Sequence, residues 1–402
     1  MRLPVGGTLG EPISRPWQDE IMTVLSKGLE GIAVAETQIG DVRGDIGQLI
    51  YQGYDINKLA GKVSFEEVIH LLWEGRLPNR KELKQLENEL IASRPLPKAA
   101  VDLLHLFPRN APPMHVLRTV VSMLGTLDSE ADLNTPQANH RKAVQLTARL
   151  PVITAYFHRI RSGKELVAPS PKLNLASNFL YMLNGEPPGE EAADTMDLAF
   201  VLHAEHGFNA STFAARVTIA TLSDMYSAIT SAIGTLKGPL HGGANEGVIH
   251  MLQEIGDESR VDDYVRSALA NKKRIMGIGH RVYKTIDPRA PHLKRLAEKL
   301  SAKVGDPKWL QMSERIATIM KQEKNLNANV DFYSATVYYS LGIPTDLFTP
   351  IFAIARMAGW TAHVMEQLAD NRLIRPLSEY VGTDNLKVVP IDQRQAVPRP
   401  GS

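Results

Sequence analysis

The sequence predicts a mainly α-helical protein, and two observations carry this prediction. From residue 57 onward, Ala, Leu and Met recur at spacings of three and four residues, which is the period of an amphipathic helix. Gly or Pro stands at most borders of these segments, where helices end. The chain has 402 residues, 44% of them hydrophobic and 22% charged, so it can bury a large core and is not disordered as its main state.

The elements follow one another in a clear order. Around residues 35–54, glycine recurs between β-branched and aromatic residues, which indicates a small β element of short strands and turns. Ser64 and Glu67 then form a capping-box pattern that begins a helix, and residues 81–93 carry one apolar stripe. Further helices are predicted at 17–27, 192–206, 212–234, 245–255, 260–273, 311–322, 331–341 and 350–370, and loops at 128–139 and 162–172.

Composition excludes several classes of protein. Cysteine is absent, which rules out disulfides, thiol nucleophiles and Cys-ligated metal centres and is compatible with a reducing compartment. Lys and Arg total 45 against 44 Asp and Glu, and a net charge of +1 argues against a nucleic-acid partner bound through bulk charge. No run of 18 apolar residues occurs, so we expect no membrane-spanning helix and a cytoplasmic location.

The first polar cluster that could carry chemistry is LHAEHGFNAST. Its His203 and His206 are three residues apart and are predicted to share a helix face; Asn209 and Ser211 follow. Two histidines at this spacing can ligate zinc, but no third ligand is evident. Taken alone, the cluster is therefore better interpreted as two satisfied histidines at a helix end.

The second cluster, KGPLHGGANEGV, places His241 just ahead of a helix that begins near Ala244. The positive end of that helix dipole disfavours imidazolium, so His241 can stay neutral at pH 7. A neutral imidazole can donate a hydrogen bond to a developing enolate oxygen. The alternative is a tight turn that happens to contain histidine.

The third cluster, RIMGIGHRVYKTIDPRAPHLKRL, is strongly basic. Residues 271–295 contain eight Lys or Arg against one acid, Asp287, which indicates a site for a polyanion in a chain of net charge +1. A solvated basic face is the alternative interpretation. However, the charges surround Gly277, Gly279 and His280, which a plain surface helix does not need.

Three more residues stand in unusual surroundings. Asp331 precedes an apolar helix; Asp at a helix start is usually an N-cap, but apolar surroundings can also make it a desolvated general base with a raised pKa. Arg356 lies among apolar residues, where arginine needs an anionic partner from the protein or from a ligand. Arg375 lies just before Pro376, where a surface arginine is the alternative.

Taken together, these clusters resemble the citrate synthase family. The resemblance runs from about Gly28 to Gly382, with HAEHGFNAS, GPLHGGANE, GIGHRVYKTIDPR, NVDFYSA and RMAGWTAH…NRLIRP in the family's order. It implies a mainly α homodimer, or a higher oligomer, with no cofactor, no metal, no membrane and no nucleic-acid partner. It also implies a large domain of residues 1–241 and 346–402 and a small mobile domain of residues 242–345.

The resemblance also implies a reaction, between oxaloacetate and acetyl-CoA. Asp331 would take a proton from the acetyl methyl group, His241 would stabilise the enol or enolate, and His280 would donate to the oxaloacetate ketone before citryl-CoA is hydrolysed. These three residues form the implied catalytic set. The implied substrate-binding residues are His206, Asn209, Ser211, Arg289, Arg356 and, from the partner subunit, Arg375. The implied CoA-binding residues are Lys284, Gly277, Gly279 and Lys273.

Physical chemistry agrees with these roles, and two alternatives stay open. A carboxylate can remove a weakly acidic thioester α-proton only where the oxyanion is stabilised, and the arginine fork suits a dicarboxylate. A 2-methylcitrate synthase, which uses propionyl-CoA, shares the same motifs, and one methylene is worth about 1–3 kcal/mol of discrimination. The alternative of another class is a non-catalytic helical scaffold, which predicts damage to catalytic positions that are all intact here.

Overall fold

In a computed structural model of the chain, the structure describes residues 25–304 and 307–394. The chain divides into two compact units, one of residues Thr37–Ile374 and one that combines the two ends of the chain. In the described part of the terminal unit, short 3-10 helices occur at Lys27–Leu29 and Ile391–Gln393, and the remaining backbone is irregular. The helix predicted at 17–27 lies almost entirely outside the described residues.

The larger unit confirms the mainly α fold class. Sixteen α-helices occur among the described residues, and all of them belong to this unit. They are α1 Ile56–Leu59, α2 Phe65–Glu74, α3 Arg80–Ser93, α4 Lys98–Leu106, α5 Pro113–Thr126, α6 Pro136–Arg161, α7 Leu175–Asn184, α8 Glu190–His203, α9 Ala210–Ile219, α10 Met225–Leu236, α11 Ala244–Ile255, α12 Val261–Ala270, α13 Ala290–Val304, α14 Lys308–Lys324, α15 Val330–Ser340 and α16 Phe348–Ala369. Every helix in the described ranges is too short or too polar to cross a bilayer.

The predicted β element is a three-stranded antiparallel sheet. Its strands pair in the order β1-β2-β3 and are β1 Gly40–Arg43, β2 Gln48–Tyr51 and β3 Tyr54–Asp55. The β1–β2 turn lies against the basic loop, where a Cβ added to Gly44 would be 2.1 Å from the carbonyl oxygen of Val282. The Lys284 backbone N–H donates to the Gly44 carbonyl at 2.8 Å. The sheet therefore holds the loop that follows His280.

The single helix predicted over 212–234 is wrong, because the chain breaks between α9 and α10. Leu222 has a φ of 63°, in the left-handed region that interrupts a helix. Asp224 then begins α10 by accepting a hydrogen bond from the Ser227 N–H at 2.9 Å. No glycine or proline marks this break in the sequence.

Two other boundaries differ from the prediction. The helix predicted over 192–206 ends at His203, so His203 and His206 do not share a helix face. The loop predicted over 128–139 is only partly a loop, because Thr135 caps α6 by accepting from the Ala138 N–H at 3.3 Å. The capping box of Ser64 and the loop at 162–172 are confirmed.

Helix α16 is the core of the larger unit. It packs against α2, α6, α8, α9 and α10, and every residue from Phe348 to Val364 is buried. A helix that is buried all round has no face on which a charge can meet water. Arg356, in the middle of this helix, is only 1% exposed, so its charge must be balanced inside the molecule.

Candidate active site

His241 lies three residues before α11, as the sequence predicts. The Ser211 backbone N–H points at its Nε2 atom at 3.3 Å, and the Ser211 hydroxyl lies 2.8 Å from the same atom. Because Nε2 accepts a hydrogen bond, the neutral ring carries its proton on Nδ1. Burial and, secondly, the charge of Arg356 lower the pKa of His241 to about 4. At neutral pH this residue is a neutral N–H donor.

Ser211 and Asn209 hold that histidine in place. The Ser211 oxygen accepts from Nε1 of Trp360 at 3.1 Å and lies 2.7 Å from Oδ1 of Asn209. Asn209 is itself the N-cap of α9, since its Oδ1 accepts from the Thr212 N–H at 3.1 Å. No sequence pattern marks Trp360, from the core helix, because its role depends on a contact across 149 residues.

His280 has the opposite tautomer from His241. Its Nδ1 accepts from the backbone N–H groups of Val282 and Tyr283 at 3.0 and 3.1 Å, so the proton of the neutral ring lies on Nε2. Burial, followed by the charge of Arg289, lowers the pKa of His280 to about 4. This histidine is therefore also a neutral donor at pH 7.

His206 and Tyr283 pack beside His280. The His206 ring lies 5.3 Å from the His280 ring, and the Tyr283 ring lies 4.6 Å from it. His206 Nε2 is 3.2 Å from the Tyr283 hydroxyl, and burial holds the pKa of His206 well below its usual value. Tyr283 follows a conspicuous histidine in the sequence, but nothing in the sequence marks it as a partner of His206.

Asp331 is not the N-cap of α15, which corrects one of the two interpretations that the sequence left open. Asn329 is the cap, and its Oδ1 accepts from the Asp331 N–H at 3.0 Å. The Asp331 Oδ1 atom is buried and has no hydrogen-bond partner among the described residues. Burial raises the pKa of Asp331 to about 7, although the charges of Arg289 and Arg356 oppose the shift.

Arg289 is a buried arginine whose charge is balanced by a neighbour. Asp287 accepts from its Nε at 2.9 Å and from its Nη2 at 2.8 Å, and both residues are 1% exposed. Burial disfavours the charged guanidinium, but Asp287 raises the pKa of Arg289 above its ordinary value. In the sequence, Asp287 is marked only as the lone acid of the basic segment, and no local pattern indicates its role.

Arg356 is a buried arginine whose charge is not balanced in this way. Its Nε donates to the His203 carbonyl at 2.7 Å and its guanidinium lies 4.8 Å from the Phe352 ring, but its Nη1 has no hydrogen-bond partner in the described structure. Burial lowers the pKa of Arg356 to about 10, although the charge of the buried Glu205 opposes the shift. The sequence predicts that Arg356 needs an anionic partner. The structure identifies the atom that lacks one, because the buried Nη1 has no described hydrogen-bond acceptor.

The glycines of the basic segment position α15. Gly277 and Gly279 have φ values of 73° and 82°. Their carbonyls accept from the backbone N–H and the side-chain amide of Asn329, at 2.9 and 2.8 Å. A Cβ on Gly277 would lie 2.6 Å from a methyl group of Val248, so only glycine fits there.

The remaining predicted residues lie at the surface. Lys273 and Lys284 are exposed, as expected of groups that would meet a ligand from solvent. Arg375 belongs to the terminal unit, where its side chain is exposed. Within the described part of the chain, no group of three His, Asp or Glu side chains is arranged to hold a metal ion.

Within the larger unit, the predicted residues converge. Phe352 lies between two of them, because its ring is 6.5 Å from the His241 ring and 4.8 Å from the Arg356 guanidinium. The charges of Arg289 and Arg356 both act on Asp331. The site therefore combines one unpaired carboxyl group, two neutral N–H donors and two arginines.

Known proteins share this arrangement of sequence and fold. The family described as "Citrate synthase, C-terminal domain" matches residues 28–377. The chain is 52% identical over 370 residues to Citrate synthase 2 of Bacillus subtilis, covering 92% of this chain and 99% of that protein. It is 44% identical over 375 residues to 2-methylcitrate synthase 1 of Corynebacterium glutamicum, with 92% and 98% covered.

Solved structures agree with the sequence relatives. The citrate synthase of Thermotoga maritima superimposes with a TM-score of 0.85 at 41% identity, covering 93% of this chain and all of that one. The Thermoplasma acidophilum enzyme, solved as a ternary complex with carboxymethyl coenzyme A and oxaloacetate, superimposes with a TM-score of 0.88 at 34% identity, covering 92% of this chain and all of that one. This chain belongs to the citrate synthase family.

Proposed function

We propose that this protein is a citrate synthase, an acyltransferase that condenses acetyl-CoA with oxaloacetate and hydrolyses citryl-CoA to citrate and CoA. One observation carries the proposal: a half-buried Asp331, whose buried Oδ1 has no described partner, lies among groups that suit each step. A general base works best when its pKa is near the working pH, and the pKa of Asp331 is raised to about 7.

The first step is removal of a proton from the acetyl methyl group by Asp331. The negative charge that develops on the thioester oxygen needs a donor, because the α-proton is only weakly acidic. His241 supplies it from Nδ1, since its Nε2 is occupied by Ser211. The low pKa of His241 keeps the ring neutral, so it donates a hydrogen bond without protonating the base.

The second step is attack of the enol or enolate carbon on the oxaloacetate ketone. Arg289 and Arg356 hold the substrate carboxylates, with His206 beside them, because a guanidinium binds a carboxylate through two hydrogen bonds. His280 donates from Nε2 to the ketone oxygen as it becomes an alkoxide. Citryl-CoA is then hydrolysed. Asn209 and Ser211 act through His241 and also border the site.

CoA is proposed to bind along the basic segment. Lys284 and Lys273 are exposed cations that can meet its phosphates, and the Gly277–Gly279 backbone lies at the head of α15. We propose that residues 242–345 move as a small domain over a large domain made of the remaining residues. Such closure excludes water while the enolate exists.

A homodimer with shared sites is part of the proposal. The described C-terminal segment exposes many apolar side chains, more than a surface that faces only water needs: Leu377, Tyr380, Val381, Leu386, Val388 and Ile391. A second copy of the chain would cover them and bring Arg375 of the partner subunit to the substrate. We further propose a cytoplasmic location.

Complementation tests the shared site. Arg375→Leu and Asp331→Asn are each expected to be nearly inactive as homodimers. When the two variants are mixed and refolded, about half of the dimers should be heterodimers with one intact site, which restores up to about a quarter of wild-type activity. No recovery, with subunit exchange demonstrated by mass spectrometry, would exclude a site built from both chains.

The second candidate is 2-methylcitrate synthase, because relatives with that name are 42–44% identical to this chain. The deciding experiment measures CoA release by the purified protein with oxaloacetate and either acetyl-CoA or propionyl-CoA, and identifies the product by mass spectrometry. We expect citrate and a higher kcat/KM for acetyl-CoA. A preference for propionyl-CoA would support the second candidate, and no CoA release from either thioester by folded protein would reject both.

A further inference from the structure

Asp287 is the most heavily hydrogen-bonded carboxylate of the site. Its Oδ1 accepts from the Arg289 backbone N–H at 3.1 Å and from Nε at 2.9 Å. Its Oδ2 accepts from Nη2 of Arg289 at 2.8 Å and from the Val330 backbone N–H at 3.1 Å. All four donors thus converge on one carboxylate that is 1% exposed.

Two of the proposed functional groups meet at this carboxylate. Arg289 is the loop arginine that holds oxaloacetate, and Val330 is the first residue of α15, next to Asp331. The Val330 N–H lies in the first turn, where it has no partner within the helix. Asp287 therefore ties the substrate arginine and the helix of the general base to one point.

We propose that Asp287 is a positioning residue that fixes the oxaloacetate arginine and the general base relative to each other. This inference rests on the proposed function. Asp287 need not touch either substrate: it occupies Nε and one N–H of Nη2, which leaves Nη1 of Arg289 directed elsewhere for a ligand carboxylate. A misplacement of about 1 Å between the two groups can reduce turnover by about 10²-fold.

The charge of Asp287 has a separate consequence for the base. The charges that act on Asp331 are those of Arg289, Asp287 and Arg356 on α16. Tyr338, on its own helix, is neutral, and Asp331 raises the pKa of that phenol. Asp287 raises the pKa of Asp331, whereas the two arginines lower it. Removal of the Asp287 charge leaves burial to oppose the two arginines without its help, so the pKa of Asp331 must fall.

The first test is Asp287→Asn. The side-chain amide NH2 would face either Arg289 Nη2 and the Val330 N–H or, in the other orientation, the Arg289 backbone N–H and Nε, and none of these donors can donate to it. We expect the oxaloacetate KM to rise about tenfold or more and kcat to fall, the scale of a lost charge-assisted hydrogen bond. The acid limb, which is the fall in kcat at low pH as Asp331 becomes protonated, should move to lower pH. A merely structural defect would not produce this shift.

Asp262→Asn is the matched control. Asp262 makes an equivalent two-pronged pair with Arg315, at 2.6 and 2.5 Å, but this pair joins α12 to α14 at the surface. Its loss should leave the oxaloacetate KM, kcat and the acid limb within about twofold of the wild type, as expected for an exposed pair. Both variants are first checked for folding by circular dichroism.

A second pair of variants separates the hydrogen bond between Asp287 and Val330 from the effect of the Asp287 charge on Asp331. These variants remain informative if Asp287→Asn does not fold. Val330→Pro removes the N–H that Asp287 accepts and puts the ring Cδ in its place, so the carboxylate must move away from the start of α15, at a first helical position where proline is otherwise well tolerated. Val330→Ala keeps the N–H and serves as its control. We expect Val330→Pro to have at least about tenfold lower kcat than Val330→Ala, with a smaller shift of the acid limb than in Asp287→Asn, because Asp287 keeps its charge.

Three results would overturn the inference. These are an unchanged oxaloacetate KM and acid limb in folded Asp287→Asn, equal kcat values in the two Val330 variants, or an Asp262→Asn defect as large as that of Asp287→Asn. A wild-type protein that releases no CoA would instead reject the proposed function, and the wild-type assay run first separates these cases.

Discussion

The two buried arginines of the site, Arg289 in the loop before α13 and Arg356 in the middle of α16, differ in how their charges are balanced. Arg289 is bound by Asp287, and its pKa is raised. Arg356 donates to one carbonyl, leaves Nη1 without a described partner and has a lowered pKa of about 10. Both are 1% exposed, so the difference lies in partners and not in burial.

This difference indicates two ways of preparing an arginine for an anion. Arg289 lies in a turn outside any helix or strand, and the Asp287 carboxylate orients its guanidinium. The core helix already fixes Arg356, and its unmet donor makes the empty site costly and an incoming carboxylate favourable. Arg289 is therefore oriented in advance by its carboxylate partner, whereas Arg356 offers an incoming carboxylate a hydrogen-bond donor that has no described partner in the protein.

The largest expected difference between the two arginines is in stability. Arg289→Leu leaves the buried Asp287 carboxylate without its ion-pair partner, which should lower the free energy of unfolding by about 3–5 kcal/mol. Arg356→Leu removes one hydrogen bond and a charge that no hydrogen-bonded carboxylate balances, and should lower the free energy of unfolding by about 1 kcal/mol or less. Urea unfolding of both variants measures this. Equal losses would mean that Arg356 has a partner as strong as that of Arg289.

Asp331→Asn removes the group on which both arginines act. Asparagine has nearly the same shape but cannot accept the methyl proton, so kcat should fall by at least about 10²-fold while the protein remains folded. Steady-state CoA release and circular dichroism check the two halves of this prediction. Turnover close to that of the wild type would show that Asp331 is not the base.

The pH dependence sharpens the comparison further. Because the base must be ionised, and burial raises the pKa of Asp331 to about 7, activity should be lost as the pH falls through about 7. His241 and His280, with pKa values of about 4, remain neutral over that range. Arg356 lowers the pKa of Asp331, so Arg356→Leu should move the acid limb to higher pH, opposite to Asp287→Asn. An acid limb that stays in place in both variants would contradict this electrostatic account.

The smallest effect on activity is expected for Lys284, which lies at the surface away from the two buried arginines. Lys284→Ala should raise the acetyl-CoA KM by about two- to fivefold, because an exposed cation contributes little to binding, and the effect should shrink as salt is added. Lys321→Ala, an exposed lysine on α14, is the control. An effect of the same size in the control would mean that Lys284 contributes only to the general charge of the surface.

The sequence predicts the helical fold and most of the site because both leave local patterns. Apolar periodicity marks the helices, and glycine beside histidine marks His241 and His280. The break at Leu222 could not be predicted, since it carries no glycine or proline. The sequence could not decide whether Asp331 caps α15, because Asn329, two residues earlier, is an equally good capping residue. Only the hydrogen bonds show that Asn329 is the cap.

The partners of the site residues were not predictable. Trp360 reaches Ser211 across 149 residues, and Asp287 reaches Val330 across 43. Such contacts depend on tertiary packing and have no signature in a single sequence. The different charge partners of Arg289 and Arg356 could not be predicted for the same reason. The spacing of Asp287 and Arg289, two residues apart, is nevertheless compatible with an ion pair between them.

The most direct test of the central claim is calorimetric titration of oxaloacetate into the wild type, Arg289→Leu, Arg356→Leu and Arg266→Leu, an exposed arginine paired with Glu323. If both buried arginines hold the substrate, each of the first two variants should bind oxaloacetate about 10- to 100-fold more weakly, the scale of lost hydrogen bonds to a charged group. Arg266→Leu should bind like the wild type. Wild-type affinity in folded Arg356→Leu would contradict the claim that its unmet donor receives the substrate.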